Sequence, residues 1–357
     1  MTFLTALYFI FVILAGIMSF AGVFVYDSSV LLTLFFCGLL LFIKPEKLNI
    51  KWVIPLILVL RLTFALLFPA PLFSDYLKYH ETACGIINNE ALNVRYLSSF
   101  PHTVTYSMLI SVVYRIFGQN PHIIYIVNAF LGTLTAYFIY KISLLLCEKK
   151  ENAVYTVFLY GIFPASIFYT SMLSTEIPHT LLFFLAVYIA ISGNSLKNAV
   201  LFGIITALMN CIRPVGLIFL IAYFIYIFLI REKKKFLKII SALCVYIFIT
   251  AMWTSVLEKV INSPVSKMPF GYNIYVGMNY DSMGRWNEKD YNFAMSMANN
   301  PQKMHETLGF MAKERFFQLL FYLYQFIFLV LLDILFFHQK NLNKKIEILL
   351  TRLFQGN

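Results

Sequence analysis

The sequence contains few charged residues, and this scarcity excludes an ordinary soluble domain. Only 13% of its 357 residues are Asp, Glu, Lys or Arg, whereas soluble domains carry about 25%. The five cysteines show no Cys-x-x-Cys spacing, so neither a disulfide framework nor a zinc site is indicated. Hydrophobic residues instead make up 60% of the chain and aromatic residues 18%. This composition is typical of a polytopic membrane protein, in which polar residues are interfacial or functional.

The net charge of +11 is distributed in a way that argues against nucleic-acid binding. Basic residues fall in short segments between apolar runs, the strongest from Arg231 to Lys238, which is the pattern of cytoplasmic loops. No basic face with groove-reading elements occurs, so we predict no nucleic-acid partner. The sequence also lacks Asn-x-Ser/Thr sequons, and its polar positions are rich in Lys and Asn. These features favour a multi-pass protein of the bacterial plasma membrane.

The apolar runs predict an all-α bundle of about ten transmembrane helices with its N-terminus in the cytoplasm. A helix needs about 20 residues to cross about 30 Å of hydrocarbon. The predicted spans cover residues 3–26, 30–43, 52–68, 123–146, 153–172, 181–191, 199–210, 217–230, 236–256 and 316–337. The first run begins without a basic segment or a cleavage site, so we expect a span there rather than a signal peptide.

Two longer polar segments, 71–120 and 257–315, are predicted to be large extracytoplasmic loops. Residues 103–117 have the pattern of an amphipathic helix lying at the interface. We treat the chain as a single integral membrane domain, because it shows no internal repeat and no linker. Its predicted parts are two extra N-terminal spans (1–51), a core (52–256), an outer loop (257–315), and a last span with a basic cytoplasmic tail (316–357).

Three polar clusters are predicted to reach the same outer surface. In chain order they are Asp75 with Tyr79, His80 and Glu81; Glu176 with His179; and Arg213 before Pro214. Asp75 follows a span that ends at two prolines, and Tyr79 lies one helical turn further on the same face. A carboxylate in this position can take a proton from an attacking hydroxyl. An arginine can bind a lipid phosphate through two parallel hydrogen bonds.

Each cluster also has a plainer structural interpretation. Asp75 can cap the following helix, Glu176 can solvate a helix end, and Arg213 can extend to headgroup phosphates. The outer histidines show no recurring ligand spacing, so interfacial histidines are favoured over a metal site. Arg61 lies in the middle of a predicted span, where a charge is costly. It must pair with a buried acid or line a cavity.

The motif from Ser74 to Ala83, Ser-Asp-x-x-x-Tyr-x-x-x-Ala, resembles the start of the first outer loop in GT-C fold glycosyltransferases. The resemblance is to the polyprenyl-phosphate-sugar-dependent family (glycosyltransferase family 39), which includes protein O-mannosyltransferases and the aminoarabinose transferase acting on lipid A. Further segments resemble those of the family in their order along the chain and in their predicted side of the membrane. They are 101–118, Glu176-Ile177-Pro178, Arg213-Pro214 and 275–287. The resemblance covers roughly residues 52–290. Unlike larger members, this sequence has two spans before the Asp75 span and no sizeable soluble C-terminal domain, which leaves the acceptor open.

The resemblance implies inverting transfer of a sugar from a polyprenyl-phosphate donor, outside the membrane, to a hydroxyl of an acceptor glycan, lipid or protein. By this resemblance Asp75 is the base and Arg213 binds the donor phosphate. Glu176 orients the acceptor or shares a divalent cation with Asp75, and no other cofactor is implied. The substrate-lining candidates are Tyr79, His80, Glu81, His179, Asn279, Arg285 and Trp286.

Two other functions are compatible with a polytopic chain that has polar residues on its outer side. A lipid-linked saccharide flippase or transporter predicts broken helices and midplane ion sites built from a repeated unit, and we find no such repeat. A polysaccharide polymerase also uses outer arginines. The early loop that carries Asp75 favours the transferase over both alternatives.

Overall fold

The computed structural model describes residues 48–193, 195–231, 234–266 and 270–321, and all regular secondary structure in these ranges is helical. The helices in chain order are α1 Ile50–Leu67, α2 Ser74–Asn88, α3 Val94–Ser99, α4 Pro101–Phe117, α5 Pro121–Leu146, α6 Lys150–Ile162, α7 Pro164–Phe168, α8 Glu176–Ser192, α9 Leu196–Ile212, α10 Gly216–Leu229, α11 Lys235–Ile261, α12 Gly271–Gly277, α13 Glu288–Ser296 and α14, which covers 301–321. The predicted all-α architecture is confirmed for these residues. The predicted spans 3–26 and 30–43, and most of 316–337, lie outside them.

Three of these helices, α1, α5 and α11, are long and apolar enough to cross a membrane. The shorter apolar helices α8, α9 and α10 have 17, 17 and 14 residues. The described part of the chain is therefore that of a helical membrane protein, while the count of ten spans stays a prediction.

The predicted span 153–172 is not one straight helix. It is broken into α6 and α7, with a 3-10 turn at Tyr169–Ser171, and the two halves are bent by 58°. The break falls at Pro164, which occupies the first turn of α7. Proline lacks an N–H and its ring blocks the preceding turn, so it starts helices and interrupts them. A sequence window of hydropathy cannot register such a break, because all the surrounding residues remain apolar.

The apolar helices form two packed groups that meet where α5 contacts α8. One group surrounds a core of α1, α5 and α6 side chains: Val53, Ile57, Ala136, Ile139, Val154 and Val157. The other contains α8 to α11, with α9 lying against α11. There a Cβ on Gly203 would lie 2.5 Å from the carbonyl oxygen of Ala242. Small residues allow this close backbone approach, which gives transmembrane helices much of their packing energy.

The two polar segments fold into helical layers that contact each other. In the first, α2 packs on α4 through a cluster that contains Tyr79, Tyr106 and Tyr114. In the second, α12, α13 and α14 share a core with Phe100 of the first. His305 joins them, because its Nε2 lies 2.7 Å from the Ser99 carbonyl oxygen and its Nδ1 lies 3.3 Å from the Tyr272 amide nitrogen. Both polar segments thus share one contact region.

Arg61 is fully buried in α1, and the structure identifies its partners as neutral groups. Its Nη1 donates to the Ser166 carbonyl at 2.6 Å and the Thr170 hydroxyl at 2.9 Å, and its Nη2 donates to the Ser166 hydroxyl at 3.0 Å. The guanidinium also lies over the Tyr160 ring at 5.2 Å. The expected buried acid is not found among the described residues. Arg61 instead donates to the Ser166 carbonyl and to the Ser166 and Thr170 hydroxyls, which follow the break between α6 and α7.

Candidate active site

Asp75 lies in the first turn of α2, with its side chain 59% exposed. The cap position falls on Phe73, whose side chain makes no capping hydrogen bond, so Asp75 is not the N-cap residue. Ser74 has a φ of 50°, a left-handed conformation that is uncommon for serine. The Tyr96 hydroxyl donates a long 3.5 Å hydrogen bond to Asp75 Oδ1, and Lys78 Nζ lies 3.9 Å away. The carboxylate is therefore accessible and only weakly engaged.

Glu176 and Arg213 form an ion pair in which Arg213 Nη1 donates to Glu176 Oε1 at 2.8 Å. Glu176 is the first residue of α8, and Arg213 directly follows the last residue of α9. Because α8 and α9 are neighbours joined by a short turn, the start of one and the end of the other lie at the same end of the pair. The side chains are 31% and 41% exposed. The guanidinium is thus oriented by Glu176 and still accessible.

Tyr79 lies on α2, one helical turn after Asp75. Its side chain is buried, and its ring packs perpendicular to that of Tyr106 with 5.0 Å between centroids. Burial is the main cause that raises the pKa of Tyr79, and the charges of Asp75 and Glu176 raise it further while Arg213 lowers it. One hydroxyl therefore lies within electrostatic range of all three motif residues. Of the motif residues, Glu176 and Arg213 are in direct contact, and Asp75 and Tyr79 share the helix α2.

Four polar side chains next to this cluster each have a buried atom without a hydrogen-bond partner. These atoms are His102 Nδ1, Tyr106 Oη, Ser174 Oγ and His179 Nε2. Burial, with the nearby Arg213 charge and His305, lowers the pKa of His102 to about 4, so the ring is neutral at pH 7. Buried polar atoms are rarely left unpaired, and such atoms mark sites of ligands, ions or water. These side chains supply hydrogen-bonding capacity beside Arg213.

Sequence reasoning selected His179 from this group and missed His102, Tyr106 and Ser174. His102 and Tyr106 lie on α4, whose pattern indicated only an amphipathic helix. A tyrosine on the buried face of such a helix is usually a core residue, so the sequence carries no signal that its hydroxyl is unpaired. The proline next to His102, in the matching segment of the resembled family, was the available hint.

The contacts of His80 and Glu81 lie elsewhere. His80 Nδ1 lies 2.9 Å from the Tyr114 hydroxyl, and its Nε2 lies 3.8 Å from Cys84 Sγ. The ring thus stabilises the packing of α2 on α4. Glu81 is exposed on the surface of α2. Neither contacts the Glu176–Arg213 pair.

The substrate-lining candidates on the second polar segment lie in a different part of the protein from the Glu176–Arg213 pair. Asn279 Nδ2 donates to Asp290 Oδ2 at 2.8 Å. Arg285 is exposed, and its backbone amide donates to the Ser282 carbonyl at 2.9 Å. Trp286 is 64% exposed and packs 6.0 Å from the ring of Tyr291. These three residues do not contact the Glu176–Arg213 pair, although Tyr291 approaches Lys78 beside Asp75.

A shared divalent cation was one of the roles expected for Glu176. Within the part of the chain that the structure describes, no group of three or more His, Cys, Asp or Glu side chains is arranged to hold a metal ion. Glu176 contacts Arg213 instead. We therefore describe no chemical step through a metal.

The fold and the polar cluster are those of a helical membrane protein whose ionisable side chains gather at one end of an apolar bundle. Residues 101–257 match the family model described as dolichyl-phosphate-mannose-protein mannosyltransferase. The match confirms the resemblance to GT-C glycosyltransferases and indicates glycosyltransferase activity in general. It includes Glu176 and Arg213, begins after Asp75, and covers less than half of the chain. No curated protein and no solved structure matches the chain.

Proposed function

We propose that this protein transfers a sugar from a polyprenyl-phosphate donor to an acceptor hydroxyl on the extracytoplasmic side of the membrane, with inversion at the anomeric carbon. The observation that carries the proposal is the accessible Glu176–Arg213 ion pair, whose charges act on the same Tyr79 hydroxyl as the exposed Asp75 carboxylate. Asp75 lies on α2, whereas Glu176 and Arg213 lie at adjoining ends of the consecutive helices α8 and α9. The family match over 101–257 supports the same reaction class.

Arg213 is proposed to bind the donor phosphate and to stabilise the charge that develops on it as a leaving group. A guanidinium presents parallel N–H donors that fit phosphate oxygens, and it stays charged at any physiological pH. Glu176 holds the guanidinium through Nη1. This contact supports a third role for Glu176, in addition to the two expected from the sequence: it orients the phosphate-binding arginine.

Asp75 is proposed to be the general base. The acceptor oxygen attacks the anomeric carbon from the face opposite the phosphate, and Asp75 takes the hydroxyl proton as the new bond forms. The bond between the anomeric carbon and the phosphate oxygen breaks, and polyprenyl phosphate leaves with the electron pair. The exposure of the Asp75 carboxylate and its single long hydrogen bond from Tyr96 suit a group that must accept a proton.

The experiment is a transfer assay with purified protein in detergent and a panel of radiolabelled polyprenyl-phosphate sugars. We expect at least one donor to lose its label to an acceptor extract, and Asp75→Asn to abolish that transfer while the protein remains folded. Glu90→Gln is the matched control, because Glu90 is an exposed carboxylate of the same polar segment. Near-normal transfer by Asp75→Asn, or movement of intact lipid-linked sugar across vesicles without bond cleavage, overturns the proposal.

A further inference from the structure

The second polar segment forms an open cavity of about 720 Å³ that Asp75, Glu176 and Arg213 do not line. Small-molecule sites typically have volumes of about 300–1,000 Å³, and this cavity lies within that range. Its lining residues come from α12, α13, α14 and the loop after α12. The polar ones include Asn279, Asp281, Ser282, Asn287, Lys289 and Gln318.

The floor of this cavity is held rigidly by the ion pair of Asp290 and Arg315. Arg315 Nη1 donates to Asp290 Oδ2, and Nη2 to Oδ1, both at 2.8 Å. The guanidinium stacks on the Tyr275 ring at 3.5 Å from its centroid. The hydrogen bonds from Arg315 hold the pKa of Asp290 well below its usual range. A buried, bidentate pair of this kind fixes the geometry around it.

The loop that forms the rim is also fixed in shape. Gly284 has a φ of 69°, and a Cβ at this position would lie 2.9 Å from the Gly277 carbonyl oxygen. Its amide donates to the Asn279 carbonyl at 2.9 Å, which closes the loop. Glycine is the residue that tolerates both the conformation and the close approach. The cavity is therefore formed before a ligand binds.

The chemistry of the rim favours a neutral, hydroxyl-rich ring. Asp281 and Lys289 are exposed and carry opposite charges, so the rim suits no strongly charged ligand. The side chains of Asp281, Lys289 and Gln318 offer donors and acceptors to neighbouring hydroxyls of a ligand. Tyr280 lines the cavity, and Trp286 lies nearby on the same loop without lining it. They are 63% and 64% exposed, and flat aromatic faces provide apolar contact area for one side of a sugar ring.

The rim approaches the candidate base through a chain of contacts. Trp286 packs 6.0 Å from the Tyr291 ring, and Lys78 Nζ lies 5.6 Å from that ring. Lys78 Nζ is in turn 3.9 Å from Asp75 Oδ1. Trp286, Tyr291 and Lys78 are thus neighbouring side chains between the cavity loop and the Asp75 carboxylate.

We propose that this cavity and the adjoining Trp286–Tyr291 surface bind the acceptor, and that the acceptor is a saccharide. The inference rests on the proposed sugar transfer, for which it names the acceptor class. In this arrangement the cavity holds one part of the glycan, Trp286 stacks on a neighbouring ring, and the next hydroxyl meets Asp75. Peptides and lipid surfaces are the alternative acceptors that the experiment distinguishes.

The test measures binding without requiring transfer. The purified full chain in detergent is titrated with chitotetraose, mannotetraose and galactotetraose, with binding followed by saturation-transfer NMR. We expect one or more of them to bind, and Trp286→Ala or Asp281→Ala to weaken that binding about tenfold. Trp52→Ala is the matched control, because Trp52 is 77% exposed on α1, and it should bind like the wild type. Asp75→Asn should retain saccharide binding.

Three results separate the two proposals. Saccharide binding that Trp286→Ala weakens, together with no transfer from any donor, overturns the proposed reaction and leaves the saccharide site standing. Transfer that occurs while no saccharide binds, or that goes to a Ser/Thr-rich peptide or to vesicle lipid, overturns the acceptor inference. Equal binding by the wild type, Trp286→Ala and Asp281→Ala also overturns it.

Discussion

Arg213 Nη1 and Glu176 Oε1 lie 2.8 Å apart, although the two residues are 37 positions apart in the chain. The ion pair is partly exposed, and partly exposed pairs contribute about 0–1 kcal/mol to stability. Because the pair lies near Tyr79 and the unpaired buried atoms, we expect it to contribute more to ligand binding than to stability. This contrast between function and stability gives the first prediction.

Arg213→Gln should lower the rate of sugar transfer about 10²–10³-fold, because a group that stabilises a leaving charge is worth that much in other enzymes. The free energy of unfolding should change by about 1 kcal/mol or less. Arg213→Lys keeps the charge but loses the planar fork, so its activity should be intermediate. Transfer rates and thermal melts on the same preparations check this. A large loss of stability with unchanged specific activity would contradict the assignment.

Tyr106→Phe should be neutral or stabilising, because the mutation removes a buried hydroxyl that has no hydrogen-bond partner. Tyr114→Phe is the matched control, since the Tyr114 hydroxyl lies 2.9 Å from His80 Nδ1. Losing that bond should cost about 1 kcal/mol. If the Tyr106 hydroxyl meets the substrate, its removal should also raise KM, whereas Tyr114→Phe should leave KM unchanged. Equal stability losses in both variants would show that Tyr106 has an ordinary structural partner.

Gly271→Ala should destabilise the second polar segment, because the new Cβ would lie 2.0 Å from the His305 carbonyl oxygen. Overpacking against backbone costs about 1–3 kcal/mol or more, since backbone cannot move aside cheaply. Gly277→Ala provides the control, as its added Cβ meets nothing within 4 Å. Limited proteolysis should therefore cleave residues 270–321 faster in the first variant than in the second. Equal cleavage rates are the contrary result.

The free energy of unfolding should decrease as the pH is lowered, because His102 becomes protonated. The unfolded chain has a histidine pKa near 6.5, whereas burial lowers the pKa of His102 to about 4 in the folded state. Between these two pKa values the unfolded state binds more protons than the folded state. The contribution of His102 to stability is therefore complete above pH 6.5 and is lost as the pH falls. The loss by pH 4 is about 3 kcal/mol. His102→Gln should flatten melting temperature against pH, while His122→Gln, at an exposed histidine, should not.

Arg61→Met should be tolerated better than Arg61→Lys. Thr170 Oγ1 also donates to the Ser166 carbonyl, and Ser166 Oγ lies within donating distance of the Tyr160 and Phe163 carbonyls, so both hydroxyls keep a partner without Arg61. Replacing a buried charge with an apolar side chain is often nearly neutral. Lysine keeps the charge and loses the second arm of the fork. In thermal melts in detergent, Arg61→Met should have a higher melting temperature than Arg61→Lys. A higher melting temperature for Arg61→Lys would refute this account.

Much of the fold was predictable because hydropathy and helix-end residues act locally. The apolar run to Phe68, the prolines at 101 and 121, and the glycine at 118 fixed elements that the structure has within a few residues. The motif residues Asp75, Glu176 and Arg213 could be selected for the same reason, since each follows or precedes a helix end. The break at Pro164 and the partners of Arg61 could not, because they depend on which helix lies alongside.

The sequence by itself determined a helical membrane protein with acids and an arginine at helix ends, because composition and periodicity are properties of neighbouring residues. Only the tertiary structure decided that Glu176 contacts Arg213 and that the ring of Tyr79 packs against Tyr106. It also decided that His80 contacts Tyr114 rather than the polar cluster. Such pairings depend on how helices pack at a distance along the chain, and one sequence holds no local signal for them.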